Sequence, residues 1–193
     1  METGAQPGLA PVNFAVDRAV SRFQVQAFAS GLLSAFGHDP KVEIRDYDAQ
    51  ISCSLETFDN ASVQVTVHAL GMEILDEMKA SDRQKLEQEM HEKVLDTKHF
   101  STIIYESRSV SVDKLTDSNL HVQVDGELSF RGVTRPLPVR ANITALGSTL
   151  RIYGDFSLLQ SDYGIKPVSF AAGALRLKDE LKFAFDLVAR KQD

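Results

Sequence analysis

The chain has 193 residues, 43% hydrophobic and 25% charged, which is ordinary globular usage and excludes disordered and fibrous classes. A formal net charge of -6 argues against nucleic acid or an anionic membrane as a general partner, since both demand clustered Lys and Arg. The single cysteine, Cys53, cannot close an internal disulfide.

Residues 1–12 contain Pro7 and Pro11 and one charged side chain, Glu2, with neither the positive start nor the apolar run of a secretory signal. They read as a flexible tail before a single domain over residues 13–193, with a cytoplasmic setting expected. Phe23, Val25 and Ala27 open a strand. The apolar run from Ala27 to Gly37 is broken by Ser30, Gly31 and Ser34, and is far below the ~20 residues of a membrane helix. It leads into Phe36-Gly37-His38-Asp39. Apolar loop residues need either the core or a molecule entering it, and His38 suits two roles: tying the loop to backbone carbonyls or hydrogen-bonding a ligand head group.

Between Val42 and Leu55 the apolar parity switches, from Val42 and Ile44 to Tyr47, Ala49, Ile51 and Cys53, which predicts a bulge near Arg45-Asp46. Val63, Val65 and Val67 alternate with Gln64, Thr66 and His68, the pattern of a strand with one wet face. From Ser81 to Leu95 the period changes. Leu86, Met90 and Val94 recur at four-residue spacing among charges, and Ser81 with Gln84 fits a capping box, so one amphipathic helix is predicted across the sheet. A strand over Ser101 to Ser107 follows, with either Ile103 and Tyr105 or Thr102, Ile104 and Glu106 facing inward. Leu120, Val122, Val124, Leu128 and Phe130 alternate next. The same period marks Val139, Ala141, Ile143 and Ala145, then Ile152, Phe156 and Leu158, and finally Phe183, Phe185 and Leu187.

Some eight or nine consecutive strands with one polar face suggest an all-β antiparallel sheet closed into a barrel, because closure removes exposed edges. At about eight strands the interior either fills with side chains or holds one ligand.

Catalytic and metal motifs are missing. There is no phosphate-binding Gly-rich loop and no Gly-x-Ser-x-Gly, and Leu95 stands where a zinc helix beginning at His91-Glu92 needs its second histidine. His91 therefore reads as part of an exposed helix face, and His68 and His121 as wet strand positions. Cys53 falls on the apolar parity and reads as a buried small hydrophobe.

The segments Phe36-Gly37-His38-Asp39, Gly126-Glu-Leu-Ser-Phe-Arg-Gly-Val-Thr-Arg-Pro-Leu-Pro-Val139, Gln160-Ser-Asp-Tyr-Gly-Ile165 and Lys178-Asp179-Glu180-Leu181 stand in an order and spacing that resemble the YceI-like family. These are lipocalin-like polyisoprenoid-binding proteins of bacteria, and the likeness runs from about Asn13 to Lys191. Gln160 stands where the family often has Arg, and Tyr163 where it has Phe.

The resemblance implies an eight-stranded antiparallel lipocalin-like barrel with one helix, often a homodimer, and relatives that are commonly periplasmic. It implies that the interior holds an isoprenoid chain, a prenyl quinone or prenyl diphosphate, for binding or transport without catalysis, metal or cofactor. Candidate ligand-binding residues are then Phe36, His38, Val65, Val67, Ile103, Tyr105, Leu128, Phe130, Ile143, Phe156, Leu158, Tyr163, Phe183 and Phe185. A polar head would sit at the mouth near His38, Tyr105, Tyr163 or Arg135. Two other readings stand beside it. One is an enzyme acting on a small hydrophobic substrate, which needs an inward Glu106. The other is a packed, ligand-free barrel serving as a stress-response interaction module.

Overall fold

Alternation of β-branched and aromatic residues with polar ones builds the molecule almost wholly from strands. The structure, a computed structural model, describes residues 11–30, 39–54, 60–167, 169–170 and 175–192. Six strands come before the one α-helix among the described residues: β1 (Val12–Val16), β2 (Arg22–Ser30), β3 (Lys41–Ile44), β4 (Tyr47–Cys53), β5 (Ser62–His68) and the short β6 (Met72–Ile74). The helix α1 (Ala80–Glu89) follows. Then come β7 (Thr102–Lys114), β8 (Asn119–Phe130), β9 (Val133–Pro136), β10 (Val139–Leu146), β11 (Thr149–Leu159), β12 (Ser169–Phe170) and β13 (Leu175–Lys191).

Several of these are pieces of one longer stave. β1 and β2 are separated by a 3-10 turn at Arg18–Val20, β3 and β4 by Arg45-Asp46, and β5 and β6 by a second such turn at Ala69–Gly71. β9 continues into β10 past Leu137 and Pro138. Pairing runs antiparallel through β1, β4, β5, β7, β8, β10, β11 and β13, and β13 returns to β1 by Phe14↔Lys191 and Val16↔Ala189. The sheet is thus a closed eight-strand barrel in up-and-down order. Closure pairs the edge groups that would otherwise invite association.

The break at Arg45-Asp46 lies where the parity of the sequence switches, and Val42, Ile44, Tyr47, Ala49, Ile51 and Cys53 all face the interior. A second irregularity was not foreseen. β7 continues past Ser107 to Lys114, and its register with β8 shifts between Ser107 and Ser109. The extra residue moves the inward set from Ile103 and Tyr105 to Val110 and Val112. Glu106 faces outward, exposed, and accepts a 3.0 Å hydrogen bond from the Gln64 side-chain amide. The sequence left that register open; the structure settles it.

Two glycines leave room for aromatic rings of neighbouring strands. A Cβ on Gly126 would lie 2.5 Å from the Tyr105 ring, and one on Gly154 would lie 2.8 Å from the ring of Phe185, its cross-strand partner. Only a missing side chain lets each aromatic ring come this close to the neighbouring strand.

The predicted helix differs at both ends. It begins at Ala80 with Lys79 as its N-cap, and no side chain caps it; Ser81 instead places its hydroxyl 3.5 Å from Asp82. An N-cap at Lys79, two residues before Ser81, puts Ser81 inside the first turn, where it cannot close a capping box. At the other end the α-helix widens into a π turn over Met90–Leu95, which Asp96 stops in the left-handed region at φ 49°. Widening to i→i+5 bonding keeps Leu86, Met90, Val94 and Leu95 all on the barrel side. It also turns His91, expected on an exposed face, into a half-buried position whose Nδ1 is enclosed without a hydrogen-bond partner.

The helix covers a gap in the wall. β6 pairs with β3 on one side, and no described strand pairs with its other edge. Side chains of α1 take the strand's place: the Ile74 N–H donates to Glu87 at 3.2 Å, and Arg83 donates to the carbonyls of Ile74 and Asp76 at 2.6 and 2.8 Å. Backbone groups left by the missing strand are thereby satisfied.

Candidate functional site: an apolar barrel cavity

Inward-facing residues from every stave enclose a cavity of about 280 Å³ along the barrel axis. Occupied binding pockets commonly measure ≈ 300–1,000 Å³, so this one falls just below the lower end of that range. At the far end it reaches Ile51, Cys53, Ala61 and Leu150; at the helix end it is closed by Leu86, Met90, Val94 and Leu95. The barrel is hollow.

Among the candidate residues, Val65 and Val67 from β5, Ile103 and Tyr105 from β7, and Leu128 and Phe130 from β8 line this space. So do Ile143 from β10, Phe156 and Leu158 from β11, and Phe183 and Phe185 from β13. Tyr163 stands behind the lining, buried, with its ring 5.6 Å from that of Phe130. Phe36 and His38 lie outside the described residues. Arg135, expected near a polar head, is exposed and donates from Nε to the Asp162 carbonyl at 3.3 Å.

The few polar groups on the lining are nearly all engaged. The Tyr105 hydroxyl lies 3.0 Å from the Leu137 carbonyl and 3.3 Å from that of Val124, and its single proton favours the nearer. Burial pushes this phenol up to about 12, so it stays a neutral donor at any physiological pH. Gln160, only 1% exposed, donates its side-chain amide to the carbonyl of Lys178 at 3.0 Å and reaches that of Asp179 at 3.4 Å. These are the carbonyls freed where β13 bulges between Leu177 and Leu181. Asp179 in turn accepts from the Ser161 N–H at 2.8 Å, closing the turn Gln160–Tyr163 onto β13.

Among the described residues Glu89 is the one carboxylate on the lining, and it pairs with Lys93 one turn on. Cys53 is buried among apolar neighbours, which raises its thiol pKa and keeps it protonated and inert. The Tyr47 hydroxyl has no partner within hydrogen-bonding geometry. The neighbouring Ser21 hydroxyl donates to the Asp17 carbonyl and accepts from the Val188 N–H. Burial raises the Tyr47 phenol as well.

Sequence reading missed several lining residues. Val110 and Val112 fall beyond the register shift. The helix stripe was visible as amphipathic, but nothing local shows that it closes a cavity. Among the described residues no group of three His, Cys, Asp or Glu is placed to hold a metal ion, and no helix is long and apolar enough to cross a membrane.

A closed up-and-down barrel with a continuous apolar interior and a helix across one end defines a lipocalin-like barrel with a central cavity. A YceI-like domain model matches residues 14–189, and the chain belongs to that family. Among solved structures it is similar to BcnA of Burkholderia cenocepacia, at 16% identity and a TM-score of 0.67, covering 90% of this chain and 98% of that one. A polyisoprenoid-binding domain from Saccharophagus degradans, implicated in plant cell wall breakdown, also has a TM-score of 0.67, at 13% identity over 93% of this chain and 98% of that one. The YceI protein of Campylobacter jejuni scores 0.58 at 12% identity, covering 79% and 85%. At such identities the likeness is one of fold. No curated protein sequence matches the chain.

Proposed function

We propose that the protein binds one long-chain lipid of the isoprenoid class in its barrel and carries or stores it without chemical change. The observation that carries this reading is the cavity: a lining of aliphatic and aromatic side chains whose few polar groups, Tyr47 excepted, are engaged with the protein itself. Such a surface has little to offer a polar solute. Each methylene moved from water into it gains about 0.8 kcal/mol, and only part of that sum survives the losses of association. Family membership and the polyisoprenoid-binding relative support an isoprenoid over another apolar chain. The outward position of Glu106 removes the acid–base partner an enzymatic reading needed.

Calorimetric titration with geranylgeraniol, an uncharged prenyl alcohol, tests this. Saturable binding of one molecule per chain is expected, with a negative heat-capacity change from apolar burial. A flat titration would refute it.

A further inference from the structure

The closed cavity is smaller than the lipid it is to hold. An apolar cavity of about 150 Å³ takes one benzene, so on that scale about 280 Å³ takes about eleven carbons. Geranylgeraniol carries nearly twice that number, so some part of the wall must yield. Resting on the tail-binding reading above, we propose that α1 is a flap hinged at the π turn, which swings outward to admit a chain lipid and stays lifted while a long one is seated.

The choice of α1 follows from how the wall is held. From β1 round to β13 and back, neighbouring staves are joined by backbone ladders, and parting any two would strip many N–H and C=O groups of their partners. Beyond the open edge of β6 the wall is α1, and side chains hold it there. Arg83 spans the carbonyls of Ile74 and Asp76, and Glu87 accepts from the Ile74 N–H. Water can replace the helix at those groups, so releasing them costs far less than opening a ladder. None of the residues of α1 is fully buried. Its apolar hold on the barrel is Leu86, continued on the π turn by Met90, Val94 and Leu95, and all four line the cavity. A tail that lifts the flap therefore gives these side chains a new apolar partner as it removes the old one.

The two ends of the segment differ. On the entering side the chain is fixed as far as Asp76, whose carboxylate accepts from the Lys41 N–H at 2.7 Å. It then runs without regular structure through Glu77, Met78 and Lys79 into a helix that no side chain caps. The leaving side is pinned. One terminal nitrogen of Arg131 donates to the carbonyls of Lys93 and Val94 at 3.1 and 3.2 Å, Leu95 is buried, and the Ala69 N–H donates to the Ser101 carbonyl at 2.9 Å. Between the loose end and the pinned one lies the π turn, a distortion that often marks functional sites in helices. The hinge belongs there, and Arg83 is the latch.

The test compares geranylgeraniol with geraniol, half its length, by calorimetric titration of the wild-type chain and Arg83→Ala and by amide hydrogen exchange of the wild type. Without the latch a long tail has less to break on seating, so Arg83→Ala should bind geranylgeraniol at least about fivefold tighter than wild type does. Geraniol fits the closed barrel and should bind both proteins alike. In the wild type, the amides of α1 should exchange at least about threefold faster with geranylgeraniol bound than with geraniol bound, while β10 and β11 stay equally protected. Geranylgeraniol binding that is equal or weaker in Arg83→Ala would overturn the flap and leave the barrel reading standing. So would exchange of α1 that is the same with both alcohols, and this second measurement decides alone if Arg83→Ala does not fold. Binding of geraniol only would show a wall that does not yield, and overturn the flap as well. If neither alcohol binds, the barrel reading fails and this inference falls with it.

Discussion

Two opposite walls of the barrel meet the cavity with different chemistry. On β2, β11 and β13 the lining is aromatic: Phe156 and Phe183 stack with ring centroids 4.7 Å apart and planes 3° from parallel, and Phe23 and Phe185 pack around them. On β5, β7 and β8 it is largely valine, with Val63, Val65, Val67, Val110, Val112, Val122 and Val124. Both side-chain types favour strands, so either wall would form. Rings in contact fill space and fix one another, while isopropyl groups are too short to reach across. The cavity is therefore a consequence of short side chains on one side facing a rigid, self-packed surface on the other.

The largest effect is expected on the aromatic wall. Phe183→Ala removes the stacked partner of Phe156 and leaves a void, and should cost about 3 kcal/mol in urea unfolding, the low end for a Phe→Ala change. An intact stability would show that the rings do not support each other. On the valine wall the same reasoning inverts. Val124→Phe adds a phenyl group to space that is empty, so stability should hold while geranylgeraniol binding falls. Displacing about four carbons of ligand at ~0.8 kcal/mol each predicts roughly a two-hundredfold loss. Should the variant bind normally, the tail does not lie along β8.

Gly126→Ala probes where the valine wall accepts the Tyr105 ring. A new methyl 2.5 Å from the Tyr105 ring must push the ring away and strain its hydrogen bond to Leu137, at a cost of about 1–3 kcal/mol. Gly126→Ala combined with Tyr105→Phe should lose less than the two single changes added together.

The smallest effect lies outside the barrel, where Arg151 holds Asp186 by two hydrogen bonds of 2.9 and 2.7 Å between β11 and β13. The Arg151 hydrogen bond lowers the Asp186 pKa below its ordinary value. Whatever stability this gives is present above the unfolded-state carboxylate pKa, near 4, and is lost as pH falls through the lower folded-state value. The difference between wild type and Asp186→Asn should be small at neutral pH, because both groups are largely exposed, and should vanish in acid. A difference that grows on acidification would contradict the assignment.

The strands of both walls were legible where the register is regular. Leu120 to Phe130 and Phe183 to Leu187 kept one parity and proved inward, and the switch around Arg45-Asp46 marked a real break. Period-two reading stops at a bulge, and the extra residue near Arg108 hid Val110 and Val112. Gln160 could not be read at all. Its partners are carbonyls near Lys178, and a side chain satisfying a distant bulge leaves no trace in its own neighbourhood. The Gly126 to Val139 segment, part of the family resemblance, holds the ring–glycine contact, so its pattern reflects packing.

Native mass spectrometry of the purified chain, incubated with geranylgeraniol and washed, tests the hollow barrel most directly. The account predicts a single added mass of one alcohol per chain in the wild type, released by organic solvent and absent in Val124→Phe. Unbound wild-type protein, or equal retention by both proteins, would contradict it.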